Sequence, residues 1–553
     1  TRVLGPEYLA EAGDLVGAVY TQIEDEMLRH LCGLMLSGAE TLDQRGETAL
    51  LLLAQTRSAE LMAIAESHRG DVSRAVRATV EDAIARSDAA DLEVLGDAAA
   101  GLAAATAPVQ ARLTARGIAE VLARDNVDMR RGALALWNSA VAGAATKVNT
   151  GAATADRAVH EAVREMMREG IGTVSYRDAE TGRRTVTNRV DVAVRRHVRT
   201  QLHQDGMRRT EALCRESGCQ LVEVSSHSGA RPSHAAWQGE VYGLDGPCEV
   251  GGKRYRGLAD ATGYGSVDGL GGANCRHSFG PWLPGTPRAY EREPEHPSGL
   301  PNDEVYRLEQ GQRRRERAIR QAKRDLAGAQ MCYEDRGDVN DLADVLRARD
   351  ELRRRQTDMR AFIERSNHLG KAPVLHRNQR REWSGDMPRT ALAASARSKQ
   401  RAREVLDLKR RCARKYRPVY TEGKDDFGTN MRANFGKLAK RHEGEYLVGA
   451  HGSPQTVQLL GSRSDHRTLA DIVRARRDYE PGTPIRLYSC STGRATDGAC
   501  FAQRLADELG VPVTAPTDKV WLWPDGSVAI GQKLGDNDGE WITFKPRGGR
   551  DAD

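Results

Sequence analysis

Apolar residues recur at helical spacing through most of the first 170 positions. Ile23, Met27, Leu31 and Leu34 fall at i, i+4, i+8 and i+11, one stripe of an amphipathic helix. Leu50, Leu53, Leu61 and Ile64 predict a second helix. Ala-rich stretches at 97–107 and 132–147 let further helices approach closely, and acidic residues mark several first turns, where they favour a helix N-terminus. The pattern predicts a helical bundle over 1–170.

The period changes near 172. TVSYRDAETGRRTVTNRV alternates as two β-prone runs joined at Glu180-Thr181-Gly182, which predicts a hairpin. A helix follows, carrying Arg195, Arg196, Arg199, Arg208 and Arg209. Such a face is either solvated or turned toward phosphates or an acidic partner. From 301 to 365 two charged helical runs flank the turn-like DRGDVN, and Val345, Leu352 and Met359 recur every seven residues, which predicts a packed helical hairpin acting as a rigid spacer. Arg313 to Arg315 and Arg353 to Arg355 lie on it, as a charge-laced solvated face or, alternatively, as contacts to DNA. Residues 366–415 lose periodicity and read as a flexible or partly helical linker.

The last segment, 416–553, reads as an independent α/β unit. EYLVGAHGSP and TPIRLYSCSTG each contain a short apolar run typical of a buried strand. The helix GACFAQRLADELG, the strand VPVTAP and a hairpin KVWLWPDGSVAIG turned at Pro524-Asp525-Gly526 complete it.

Composition bounds this picture without redrawing it. Aromatic residues make up 5% of the 553-residue chain, so the helical cores are aliphatic. A net charge of +6 from 83 basic and 77 acidic residues is too mild to identify a nucleic-acid binder. Nine cysteines without a repeating spacing argue against a secreted disulfide framework. The sequence holds no long apolar run of membrane-spanning length and no signal-peptide pattern at its start, so synthesis in the cytoplasm is expected.

Two segments carry chemistry. In the first, HSGARPSHAAWQGEVY (227–242) and GLGGANCRHSFGPWLPG (269–285) bring His227, His234, Cys275 and His277 onto two loops. Four such nitrogen and sulfur groups suit a tetrahedral zinc. Alternatively they hydrogen-bond to pin the loops together, with Trp237 and Trp282 covering them. A nucleophilic Cys275 assisted by His277 is the weakest alternative, because neighbours on one loop rarely form a working pair. These loops resemble the phage minor capsid protein 2 family and the broader MuF-like, portal-associated minor head proteins, over about 1–300. Where related MuF-like members carry Cys-Pro-x-Cys, this chain has Arg231-Pro232-Ser233-His234.

In the second, His451-Gly452 and Cys490 each close a predicted strand. Adjacent parallel strands would bring them together at the carboxyl edge of the sheet, where a histidine can take a thiol proton. Strand-His-Gly followed by strand-Cys resembles the caspase-like cysteine peptidases, including the autoprocessing domains of large bacterial toxins. The resemblance implies Cys490 as nucleophile, His451 as general base or acid and Gly452 as an oxyanion donor. Tyr488 and Ser489 depart from the small residue usual before the cysteine.

The resulting expectation is a multidomain α and α/β chain. It comprises a helical N-terminal domain (1–170), a small α+β MuF-like core (171–300), a charged helical hairpin (301–365), a linker (366–415) and a three-layer α/β caspase-like domain (416–553). The resemblances imply a minor capsid protein of a tailed phage, located in the virion at the portal vertex or capsid interior. Its implied partners are portal and major capsid proteins, and its C-terminal domain is an effector or peptidase-like cargo. The alternatives are a cysteine peptidase of head maturation or ejection, and an interior DNA-organising protein using its arginine-rich helices.

Overall fold

The computed structural model describes residues 4–38, 56–150, 152–177, 184–272, 275–292, 295–382, 396–422, 425–495 and 498–547. The N-terminal helix α1 (Pro6–Ser37) starts with proline at its first position, where a missing N–H costs nothing. Its Leu9, Val16, Tyr20, Ile23, Met27 and Leu31 are fully buried, so the predicted stripe is the core-facing one. Then come α2 (Ser58–Ser67), α3 (Arg69–Leu95), the 53-residue α4 (Asp97–Asn149) and α5 (Ala155–Glu169). Leu50 and Leu53 of the predicted second helix lie outside the described residues.

Strands β1 (Gly172–Arg177) and β2 (Arg184–Arg189) form the expected antiparallel hairpin, whose turn residues are not described. It lies against α4 where Gly132 stands so close to the Gly172 carbonyl that a β-carbon would sit 2.1 Å from that oxygen. Only glycine permits that approach.

Helix α6 (Val190–Glu216) belongs to two cores at once. Val190, Val194, Val198 and Leu202 join the bundle core, while Met207 and Cys214 join the next one. The bundle core therefore runs through the boundary expected at 170. The arginines of α6 do not form the expected open face. Arg209 is 5% exposed, donates to Asp88 at 2.7 Å and to the Ala103 carbonyl at 2.9 Å, and Arg195 pairs with the buried Asp14 at 3.1 Å.

Beyond α6, β3 (Leu221–Val224) is the middle of a three-stranded antiparallel sheet between β4 (Val241–Gly243) and β7 (Phe279–Pro281). The one-turn helix α7 (Pro232–Ala235), the hairpin of β5 (Cys248–Val250) and β6 (Lys253–Tyr255), and α8 (Leu258–Thr262) fill the connections.

Helices α9 (Asn302–Arg336) and α10 (Val339–Asn367) form the predicted hairpin, with Val345 and Met359 fully buried. Asp338 caps α10 by accepting from the Asn340 N–H at 2.6 Å. The hairpin is not a free spacer. Ala327 and Cys332 of α9 belong to the bundle core, and Arg324 makes a 2.7 Å ion pair with Glu24 of α1, both side chains being nearly inaccessible. Four of the arginines in the two triplets are ion-paired: Arg313 with Glu309, Arg315 with Asp358, and Arg354 and Arg355 with the shared Glu351.

Within the stretch expected to be a linker lie α11 (Gln379–Glu382) and α12 (Ala396–Ala413). Ala402 and Leu406 of α12 pack on the hairpin, while Leu408 and Cys412 enter the C-terminal core, so α12 is a packed element joining the two.

The C-terminal unit opens with α13 (Asp426–Arg441) and β8 (Tyr446–Gly449). A side sheet of β9 (His451–Gly452), β10 (Val457–Leu459) and β11 (Ser462–Ser464) follows, then α14 (His466–Arg474), β12 (Ile485–Tyr488), α15 (Phe501–Leu509) and β13 (Val513–Pro516). Last come the hairpin β14 (Val520–Leu522) and β15 (Val528–Ile530), and β16 (Trp541–Phe544). The main sheet has the order β16-β13-β12-β8, with β8, β12 and β13 parallel and β16 antiparallel. One face is covered by Leu469, Ile472, Phe501 and Leu505 of α14 and α15 with Leu408 of α12. The other is covered by Met431 and Leu438 of α13 and by Val520 and Leu522.

Candidate functional site

The first cluster grows from the end of β3 and the start of β7. Ser225 donates its N–H to the Ser278 carbonyl at 2.7 Å, and the Ser278 N–H returns to Ser225 Oγ at 2.9 Å, which clamps the two loops side by side. All four residues singled out from the sequence meet there. The rings of His227 and His277 stack at 4.4 Å between centroids, His234 lies 5.5 Å from His277, and Trp237 packs 4.7 and 4.9 Å from His234 and His277. Donor atoms of His234, Cys275 and His277 lie within 4.8 Å of one another, and these residues are 2%, 3% and 1% exposed.

The hydrogen bonds fix which nitrogens point inward. A carbonyl only accepts, so His234 donates from Nε2 to the Asp268 carbonyl at 3.0 Å and His227 donates from Nδ1 to the Ser228 carbonyl at 2.9 Å. Gln238 Oε1 accepts the His227 backbone N–H at 3.1 Å, which sets the amide orientation, so His277 donates to the same oxygen from Nε2 at 2.8 Å. The remaining lone pairs are those of His234 Nδ1, His277 Nδ1 and His227 Nε2. Cys275 Sγ lies 3.9 Å from His277 Nδ1.

Burial, reinforced by the charges of its neighbours, lowers the His277 pKa to about 2, and burial lowers that of His227 to about 4. His234 is lowered by the same cause, and burial pushes the Cys275 thiol up. The imidazoles are therefore neutral near pH 7. His203 of α6, fully buried and hydrogen-bonded to the His277 backbone, adds a fourth imidazole, which no local pattern in the chain ties to the loops.

The second cluster lies at the carboxyl edge of the C-terminal sheet. Parallel pairing puts Gly449 of β8 beside Tyr488 of β12, and His451 and Cys490 each follow two residues later, beyond the carboxyl ends of these adjacent strands, His451 having passed into β9 of the side sheet. The neighbour that sequence reading missed is Asp425. Its Oδ1 caps α13 by accepting the Gly428 N–H at 2.6 Å, while Oδ2 lies 3.5 Å from His451 Nε2.

Cys490 Sγ accepts the Val520 N–H at 3.4 Å. Burial raises its pKa, opposed by that N–H and by Lys519, so the resting group is a thiol. The turn after it is strained: Ser491 has φ 55°, a left-handed conformation unusual for a residue with a side chain. It is held by the Ser491 N–H to the Asp518 carbonyl at 2.8 Å and by Thr492 Oγ1 to the Ser489 carbonyl at 2.7 Å. Gly452 packs on this turn so tightly that a β-carbon would sit 2.2 Å from Ser489 Oγ and 2.9 Å from the Cys490 carbonyl oxygen.

With this geometry in hand, comparison with known families is decisive for the larger part of the chain. The family model of phage minor capsid protein 2 matches residues 4–364. The chain belongs to the phage minor capsid protein 2 family. That match takes in the bundle, the histidine-bearing loops and the helical hairpin, so the hairpin's packing onto α1 and α5 is internal to one family unit. Residues 424–530 match a domain of unknown function (DUF8616), a range that contains Asp425, His451, Gly452 and Cys490. No curated protein and no solved structure matches. This minor capsid protein is thus a structural phage protein with virion partners, and no helix among the described residues is long and apolar enough to cross a membrane.

Proposed function

We propose that this minor capsid protein is held at the portal vertex or capsid interior by its family unit, and that its C-terminal unit is a caspase-like cysteine peptidase carried as cargo. The observation that carries the reading is that His451 and Cys490 each follow the paired Gly449 and Tyr488 at the carboxyl ends of adjacent parallel strands, with Gly452 packed on the Cys490 turn and Asp425 3.5 Å from the histidine.

In this reading Cys490 passes its thiol proton to His451, whose imidazolium is steadied by Asp425. The thiolate attacks a peptide carbonyl, and the oxyanion takes the amide beside Gly452. Collapse expels the amine with a proton from His451, leaving an acyl-cysteine, which water hydrolyses with His451 as base.

The nine cysteines supply an internal control, since only Cys490 and Cys248 are partly exposed and the other seven are buried. In the intact chain, iodoacetamide should modify Cys490 faster than Cys248, and His451→Ala should slow Cys490 alone. Peptide or self-cleavage should vanish in Cys490→Ala. Labelling of Cys490 no faster than Cys248, with no cleavage of peptide libraries or of the chain itself, would remove the peptidase reading. Cross-linking of intact virions to portal protein tests the location separately.

A further inference from the structure

We infer that the clamped loops of the family unit bind a structural zinc-class divalent cation through Cys275 Sγ, His234 Nδ1, His277 Nδ1 and His227 Nε2. The inference is independent of the peptidase reading. Its first support is convergence: donor atoms of His234, Cys275 and His277, from two loops whose ligands are 41 or more residues apart, gather within 4.8 Å where solvent hardly reaches, and the His227 ring stacks on His277 at 4.4 Å beside them.

The second support is orientation. A histidine that ligates a metal donates its other ring N–H to a carbonyl or similar acceptor, which fixes the tautomer. His234 does so to Asp268, His227 to Ser228 and His277 to Gln238, each at 2.8 to 3.0 Å. All three rings therefore present a bare nitrogen. The His227 Nε2 is inaccessible to solvent and has no hydrogen-bond partner among the described residues, which is costly for a nitrogen that could pair and is relieved by coordination. The 3.9 Å between Cys275 Sγ and His277 Nδ1 is close to the edge of a tetrahedron whose metal bonds are about 2.3 Å to sulfur and about 2.0 Å to nitrogen.

One thiolate and three neutral imidazoles favour zinc over the oxygen-seeking calcium and magnesium. With four protein groups and Trp237 packed over them, no position is left for substrate, so the role is structural. Binding displaces the Cys275 proton to solvent and forms the sulfur–metal bond without any change of oxidation state. The cation would tie the loop after β3 to the loop before β7, adding to the Ser225–Ser278 clamp.

The test uses the full-length chain, metal-stripped under reducing conditions and reloaded with zinc chloride or with cobalt(II) chloride. Expected are stoichiometric zinc retained through gel filtration, and a cobalt form with a thiolate charge-transfer band and intense tetrahedral visible absorption. Cys275→Ser should abolish the charge-transfer band and His234→Ala should drop retained zinc to background. Should either variant fail to fold by circular dichroism, the wild-type cobalt spectrum decides alone. Wild-type chain that retains only background zinc, or a cobalt spectrum lacking the thiolate band, overturns the assignment in favour of loops held by hydrogen bonds alone.

Discussion

Replacing Arg324 by methionine keeps most of its length and removes its charge. Arg324 Nη2 meets Glu24 Oε2 at 2.7 Å with side-chain exposures of 2% and 1%, and Glu24 Oε1 also accepts the Ile171 N–H at 3.0 Å. The variant leaves the buried Glu24 carboxylate without its Arg324 partner, while the Ile171 N–H still donates to it. Breaking a pair of this kind costs about 3–5 kcal/mol. For a cooperative unit of this size that lowers the melting temperature by roughly 6–20 °C, at about 2–4 °C per kcal/mol. Differential scanning calorimetry of the full chain should show it in the transition of the family unit. Hydrogen exchange over 302–367 should rise, because α9 loses its anchor on α1. Adding Glu24→Gln removes the stranded charge while keeping an acceptor for Ile171, so the double variant should recover most of the loss. A single variant that melts with the wild type, or a double variant no better than the single, would refute the claim that this pair fastens the hairpin to the bundle.

Three further outcomes follow from the same geometry. Gly452→Ala forces a β-carbon against the Cys490 carbonyl and Ser489 Oγ, so the C-terminal unit should lose about 1–3 kcal/mol by calorimetry and Cys490 alkylation should slow. Asp425→Asn keeps a good helix cap but removes the charge facing His451, so melting should hardly move while Cys490 alkylation falls; Asp425→Ala should add about 1 kcal/mol of lost capping. His160 is opposed by burial, but its bonds to Asp341 and Asp335 prevail and raise its pKa to about 10. Its contribution to stability is therefore complete below about pH 6.5, the ordinary histidine value, and is lost as pH rises through 10. Thermal melting should fall across that window and fall less in His160→Gln. Asp471, lowered to about 2 against burial by Lys409 and Arg157, has the opposite sign and loses its contribution only on strong acidification.

The strands and helices of the C-terminal unit were legible because their signals are local. Each of YLVG, IRLY and VTAP is a short apolar run bounded by turn residues, and the strands observed at 446–449, 485–488 and 513–516 coincide with them. The hairpin about Pro524-Asp525-Gly526 is equally local, closed by the Ser527 N–H to Asp525 Oδ1 at 2.8 Å. Edge strand β16 was not read, since none of WITF is fully buried: Trp541 and Phe544 only flank the two cores, and the strand takes its place from pairing with β13. Asp425 was missed for a related reason. Nothing in GKDDFGTN distinguishes a helix cap that also faces a histidine 26 positions later.

Charge was the least legible property, and the arginines show why. A sequence read in one dimension judges an arginine by its neighbours, which favours solvated faces and phosphate contacts. Here the decisive carboxylates are remote: Arg209 meets Asp88 across 121 positions, Arg324 meets Glu24 across 300, and Arg157 meets Asp471 and Glu508 across 314 and 351. Each forms between elements that apolar packing has already brought together, so the pairing is a consequence of the fold and cannot be anticipated from local composition. The last set also fastens the C-terminal unit to the family unit, because Asp471 and Glu508 lie on α14 and α15 while Arg157 lies on α5, with Lys409 of α12 completing the network at 2.6 Å from Asp471. A junction made of ion pairs is sensitive to salt where it is exposed and costly to break where it is buried. Arg157 is 20% exposed and Glu508 6%, which puts this contact in the second class. The C-terminal unit is accordingly docked on α5, and α12, from the stretch read as a flexible or partly helical linker, takes part in that contact through Lys409.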